Sequence, residues 1–285
     1  MTGAPARPTA RVQLTAPAKL TLSLAVTGVR PDGYHLLESE MVTLDLADTL
    51  FVVSRTDEEP ADLTISPDLS RPTATWEPDA ISMGPDNLVA RALVAVDRRA
   101  EVHIVKRIPP GAGLGGGSTD AAAVLRWAGC TDPAVAAALG ADVPFCLTGG
   151  RAVVRGIGES VTPLPYEDRR FTLLLLPFGV GTTAVYQAWD GLDGPGGRAA
   201  GERSGNDLEA AATLVEPRLG RWRDRLEGLT GRQPRLAGSG SSWFVEGSPG
   251  ELGFRDGQSL QVGDETGFLV AVRTTPPLPE ELFVP

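Results

Sequence analysis

Apolar and polar residues alternate most clearly at 20–26. There Leu20, Leu22, Leu24 and Val26 share one side of a half-buried strand, with Lys19, Thr21 and Ser23 on the other. Pro31-Asp32-Gly33 then makes a turn, and two strands are expected at 36–46 and 49–55. Residues 56–82, acidic and proline-containing, show no clear period. Asp86 is expected to cap a helix through Leu88, Leu93 and Val96, and Glu101–Arg107 alternates as a strand. A glycine-rich run at 111–117 precedes an alanine-rich helix that Ser118 can cap, and Asp132-Pro133 opens a short second helix. Residues 143–148 and 151–155 read as a hairpin. In the second half an apolar strand at 171–176 leads to a helix near 182–190. A mobile loop rich in glycine and charge is expected at 193–205, then a helix from Asn206 that Pro217 breaks or kinks. A glycine-rich turn, Ala237–Ser241, leads into a strand at Trp243–Val245, and 267–273 forms a last strand. Helices and strands mix without a strict β-α-β repeat, so the class is α+β.

Composition sets the outer bounds. The chain has 285 residues, 42% of them hydrophobic, a length that favours two domains. These are placed at 11–160 and 161–285, behind a disordered lead-in at 1–10. The net charge of −10 repels nucleic-acid backbones and anionic lipid, so neither is an expected partner. The longest apolar run, Phe171–Pro177, is far too short to cross a bilayer, and the first residues lack the apolar stretch of a secretory signal. The two cysteines, Cys130 and Cys146, make neither a disulfide framework nor a metal cluster and fit a reducing, cytoplasmic setting. Of 26 basic residues only Lys19 and Lys106 are lysine. A lysine kept among so many arginines marks a place where a compact ammonium does what a planar guanidinium cannot.

The run Gly111–Gly117 carries the strongest chemical signal. Glycines let backbone N–H groups turn toward a ligand, and the helix that follows offers unpaired N–H groups and a partial positive charge. Ser118 and Thr119 add hydroxyls. The pattern is a phosphate cradle, and a flexible linker would not sit between a strand and a helix. It is not a Walker A loop, since no Gly-Lys-Ser/Thr ends it, and no acidic residue downstream completes a dinucleotide fingerprint.

Pro109-x-x-x-Gly113-Leu114-Gly115-Gly116-Gly117-Ser118 resembles the phosphate loop of the GHMP kinases. Pro17-Ala18-Lys19-Leu20, Arg30-Pro31-Asp32-Gly33-Tyr34-His35, Leu139-Gly140-Ala141-Asp142-Val143-Pro144-Phe145, Asn206-Asp207-Leu208-Glu209 and Leu236–Ser241 are similar, in order, to segments of the diphosphocytidyl-methylerythritol kinase branch. The resemblance implies a ribosomal-protein-S5-like N-terminal domain and a ferredoxin-like C-terminal one, with the site between them. It implies phosphorylation of the 2-hydroxyl of a cytidine diphosphate alcohol, 4-diphosphocytidyl-2-C-methyl-D-erythritol, in non-mevalonate isoprenoid synthesis.

ATP would be the co-substrate, held by Pro109, Gly111, Gly113, Leu114, Gly115, Gly116, Gly117, Ser118 and Thr119, with Mg²⁺ carried by the nucleotide. Asp142 would take the hydroxyl proton and Lys19 would stabilise the developing charge. The resemblance further implies that His35 reads the cytosine by hydrogen bonds, while Tyr34 and Tyr186 stack on it. Asp32 contacts the ribose or braces its turn. Gly238 and Ser239 belong to a second anion nest at the substrate, or to a plain tight turn before a strand.

Two departures stand out: Thr21 replaces the usual asparagine, and the span from Trp127 to Ala138 is short. The chain is expected to be a monomer or weak homodimer. The alternatives are a homoserine- or mevalonate-type kinase, whose substrates carry no base to stack, a decarboxylase on the same scaffold, and a non-catalytic nucleotide-binding module. Retention of both Lys19 and Asp142 argues against the last.

Overall fold

The computed structural model describes residues 11–55, 62–68, 70, 81–192 and 205–277. The expected lead-in at 1–10, much of 56–82 and nearly all of the loop at 193–205 lie outside the described residues.

The N-terminal half is built on a six-stranded sheet of β1 (Arg11–Val29), β2 (His35–Ser54), β3 (Asp62–Pro67), β4 (Ala100–Lys106), β5 (Arg151–Gly156) and β6 (Ser160–Leu164). β2 is its spine. One edge pairs with β1 along the whole length, and the other pairs with β5 at Leu37–Val42 and with β4 at Thr49–Ser54. The two strands expected at 36–46 and 49–55 are therefore one strand that changes partner. α1 (Leu88–Ala95), α2 (Gly116–Trp127), α3 (Pro133–Leu139) and α4 (Val143–Thr148) pack on one face of this sheet. The C-terminal half is an antiparallel sheet in the order β10 (Gln258–Val262), β11 (Glu265–Arg273), β7 (Arg170–Leu175), β9 (Trp243–Glu246) and β8 (Arg235–Leu236). It is covered by α5 (Thr182–Gly191), α6 (Glu209–Val215) and α7 (Arg218–Thr230). Pro217 separates α6 from α7, as the sequence suggested. β6 extends beyond residue 160 within the first sheet, so the division between halves falls between Leu164 and Arg170.

Several local expectations are corrected. Residues 143–148 form α4 rather than a hairpin strand. Pro144 fits a first helical turn, where its missing N–H costs nothing, and β5 pairs with β2 and β6 instead. Asn87, not Asp86, caps α1: its side chain accepts from Val89 N at 2.8 Å, while Asp86 takes the Ser82 hydroxyl. α2 starts three residues earlier than a Ser118 cap would place it. Gly115 occupies the cap position without a side-chain bond, so Ser118 lies inside the first turn. β3, β6 and β10 were not legible as strands.

Three apolar cores result. One lies under α1–α4 and one under α5–α7. The third joins the two sheets, with Leu20, Leu22 and Leu44 from the first meeting Phe171, Leu173 and Phe244 from the second. Phe171 and Phe244 meet edge to face, their centroids 5.7 Å apart. β1 serves all three cores, with Ala16 under α1–α4, Leu20 and Leu22 between the sheets, and Leu24 and Val26 under α5–α7.

A buried charge cluster ties the spine to the glycine run. The Lys106 ammonium is bonded to Asp48 and, at 2.7 Å, to Asp120, and all three side chains are nearly inaccessible. Asp48 Oδ1 also accepts the backbone N–H of Ile108 at 2.9 Å, which fixes the chain entering the glycine run. Burial, only partly offset by Lys106 and reinforced by Asp48, pushes the Asp120 carboxyl from 3.8 up to about 7.

Two outcomes follow from this packing. Leu44→Ala is expected to cost about 2–5 kcal/mol with a single unfolding transition, since its core belongs to both sheets; urea titrations followed by fluorescence and circular dichroism should superimpose. A carboxyl raised in the folded state stabilises fully below its unfolded value, and that contribution is lost as pH rises through the folded one. The Tm of Asp120→Asn relative to the parent should therefore climb between pH 5 and pH 8; parallel Tm curves would contradict the reading.

Candidate active site

A cavity of about 550 Å³ opens between the two halves. Lys19, Ser118 and Asp142 line it from the first half, and Thr182, Tyr186 and Gly238 from the second. Lys19 arrives on β1. Its backbone N–H donates to Leu114 O at 3.0 Å, which holds the strand against the glycine run. Its ammonium, nearly inaccessible, lies 3.2 Å from Asp142 Oδ2, and that carboxylate is about a third exposed toward the cavity. Asp142 stands at the N-terminal end of α4 but makes no capping bond to it, so its carboxylate is not spent on the helix. Thr21, in place of the usual asparagine, accepts from the same ammonium at 3.1 Å. The hydroxyl thus retains a polar contact at this position and directs it to Lys19.

The glycine run is shaped as much by its protein neighbours as by any ligand. At Gly113, φ is +76° and a Cβ would fall 2.0 Å from Ala237 O; at Gly115, φ is +71° and a Cβ would lie 2.7 Å from Lys19 Cγ. Ser241 and Ser242 donate their N–H groups to Gly111 O and Ala112 O at 3.0 and 3.1 Å, and Val180 N donates to Gly111 O at 3.2 Å. The turn at 237–241 is thereby joined to the glycine run. Asn206 braces the same turn from a buried position, donating to Leu236 O at 2.9 Å and Gly238 O at 2.7 Å. Gly238 and Ser239 border the cavity, and Ser239 shares a hydrogen bond of 2.9 Å with Thr182.

The expected nucleotide residues divide into groups. Gly113 and Ser118 face the first cavity, while Pro109, Gly111, Gly116 and Gly117 line a second one of about 320 Å³. Leu114 is buried in the core between the sheets. Thr119 is a correction: its hydroxyl, fully buried, donates to Pro17 O at 2.7 Å and is spent on holding β1.

At the other end of the main cavity, His35 follows the 31–34 turn. Its ring lies 4.7 Å from that of Tyr186 and edge-on to Trp189 at 5.3 Å. Tyr34 projects at the rim, 59% exposed. Asp32 braces the turn, taking the Arg30 guanidinium at 2.6 Å and Tyr34 N at 3.3 Å, and does not line the cavity.

Sequence reading missed Asp48, Asp120, Thr182 and Asp190. For the first two, the only related signal was Lys106 itself, one of two lysines in the chain, since Asp48 and Asp120 lie 58 and 14 residues from it. Nothing local marked the others. Among the described residues, no group of three or more His, Cys, Asp or Glu could hold a metal ion, and no helix is long and apolar enough to cross a membrane.

Residues 87–150 match the family model described as the GHMP kinases N terminal domain. A 4-diphosphocytidyl-2-C-methyl-D-erythritol kinase from Polaromonas sp. is 37% identical over 290 residues, covering 89% of this chain and 92% of that protein. One of the same name from Moorella thermoacetica is 35% identical, covering 87% and 95%. A crystal structure of 4-(cytidine 5'-diphospho)-2C-methyl-D-erythritol kinase superposes with a TM-score of 0.65 at 29% identity, over 93% of this chain and 100% of that one. A mevalonate kinase structure superposes at 0.58 with 14% identity, a likeness of fold alone. With Lys19 and Asp142 brought together in one cavity between the halves, and relatives of this extent, the chain belongs to the 4-diphosphocytidyl-2-C-methyl-D-erythritol kinase family of GHMP kinases.

Proposed function

We propose that this chain transfers the terminal phosphoryl group of ATP to the 2-hydroxyl of 4-diphosphocytidyl-2-C-methyl-D-erythritol. The observation that carries the reading is the 3.2 Å contact between Lys19 and Asp142, placed where the glycine run meets a cavity with an aromatic far end. Phosphoryl transfer asks the protein mainly to position an attacking oxygen in line and to neutralise charge as it moves. Asp142 takes the hydroxyl proton. Lys19, held by Leu114 O through its own backbone and by Thr21 through its ammonium, pairs with Asp142 and faces the transferring group.

The smaller cavity suits the nucleoside of ATP, since its lining includes the apolar side chains of Ile65, Leu88, Ile104 and Ile108. From there the phosphates run over backbone N–H groups of the glycine run toward Lys19. That route answers how a chain of net charge −10 holds an anion: the favourable groups are backbone dipoles and one ammonium, focused locally. A divalent cation fits as a companion of the phosphates, whose charge it would offset, because no protein cluster offers it a cage among the described residues. The far end, with His35, Tyr34 and Tyr186, suits the planar base of a cytidine substrate. The two free cysteines fit action in the cytoplasm.

Purified protein with ATP and a panel of diphosphocytidyl-methylerythritol, homoserine and mevalonate is expected to phosphorylate only the first. Turnover of mevalonate alone would overturn the reading, and release of CO₂ would point to the decarboxylase. Asp142→Asn is expected to lower kcat about 10²–10⁴-fold with little change in the KM for ATP. Unchanged turnover would remove Asp142 from the proton-transfer role.

A further inference from the structure

Asp190 takes no part in the chemistry above, yet its carboxylate is bonded to the residue assigned to the base. It lies near the end of α5, with Oδ1 2.7 Å from His35 Nε2. An ionised carboxylate only accepts hydrogen bonds, so Nε2 must carry the proton. In the neutral ring Nδ1 is then a bare acceptor. Among the described residues Nδ1 has no protein partner, and His35 lines the cavity. The ring is not free to turn away, because α5 also supplies Tyr186 and Trp189 against it at 4.7 and 5.3 Å.

The pairing edge of cytosine offers one donor, the exocyclic amine; its ring N3 and carbonyl O2 both accept. Uracil carries a carbonyl oxygen where cytosine carries the amine. We propose that Asp190 is a positioning residue that sets base specificity: by holding His35 as the Nε2–H tautomer, it presents Nδ1 as an acceptor for the amine of cytosine and opposes uracil. The inference rests on the reading above, in which His35 reads the base of a pyrimidine nucleoside diphosphate substrate. Two acceptors forced together, with neither paired, disfavour the uridine form by about tenfold or more.

Two variants test the assignment at pH 8. Asp190→Ala frees the ring to take either tautomer. Asp190→Asn offers an amide N–H to Nε2, which moves the ring proton to Nδ1 and turns that nitrogen into a donor. The measurements are kcat/KM for 4-diphosphocytidyl-methylerythritol and for its uridine analogue, together with ¹⁵N imidazole shifts. The chain has only two histidines. His103, bonded to Thr64 at 2.9 Å and Ser66 at 3.2 Å, supplies an internal reference.

The parent is expected to prefer the cytidine form and to show Nδ1 unprotonated. Asp190→Ala should lose about tenfold of that preference, mostly through KM, with the KM for ATP unchanged. Asp190→Asn should carry the preference further toward uridine. An equal loss on both substrates in both variants, or an Asp190→Ala protein with the parent's preference and ¹⁵N pattern, overturns the proposal. Failure of the parent to phosphorylate either nucleoside diphosphate would instead strike at the functional reading, so the two failures are distinguishable.

Discussion

Lys19 meets Asp142 because a single glycine turn lets three distant segments approach one another. β1 brings the lysine, with its backbone N–H on Leu114 O. Gly115 leaves room for the lysine stem, and Gly113 leaves room for the carbonyl of Ala237. A methyl group at either position would push apart the strand, the phosphate loop or the C-terminal turn. The rest of the site is built around this contact: cavity walls come from both halves, Asn206 braces the 237–241 turn, and α4 begins at Asp142. The core between the sheets makes the approach rigid, since the two halves share buried Leu20, Phe171 and Phe244.

Electrostatics follow the same economy. The protein is acidic, and both of its lysines are buried against carboxylates. Lys106 sits between Asp48 and Asp120, beneath the start of α2, where a Cβ at Gly116 would lie 3.1 Å from its ammonium. A guanidinium would not fit so close to the helix backbone, which gives a physical reason for a lysine in an arginine-rich chain. With two carboxylates to one ammonium, the cluster relieves its excess charge by raising Asp120 toward a neutral form. It thus anchors the entry to the glycine run without setting a full extra negative charge beside the path proposed for phosphates.

The substrate end uses aromatic surface and one oriented imidazole instead of charge. α5 delivers Tyr186, Trp189 and Asp190 to a histidine that lies more than 150 residues earlier in the chain. A ring held on several sides by one helix is a suitable reader of a base edge, because its hydrogen-bonding direction and tautomer are both set before any ligand arrives.

How much of this was legible before the fold was known differs by position. The glycine run, Lys19 and the 31–35 turn stood out in the linear chain because backbone dipoles, a rare lysine and turn residues act locally, whereas Asp142 was marked only by the resemblance of its segment to a family. The strand at 20–26, α2 and the break at Pro217 followed from period and proline for the same reason. Residues 143–148 misled, since a short apolar run fits a strand or a helix equally and only β5's pairing with β2 and β6 chose between them. Thr119 looked like a ligand hydroxyl until burial gave it to Pro17. The strands expected at 36–46 and 49–55 are one, and Asp48 between them is neutralised by an ammonium 58 residues away. The sequence by itself marked the glycine run as a phosphate cradle and Lys19 as an unusual lysine, and its resemblance to a family singled out Asp142. Tertiary structure alone decided which glycines serve packing, which carboxylates share Lys106 and which one orients His35, because each depends on a distance between segments that the chain order does not contain.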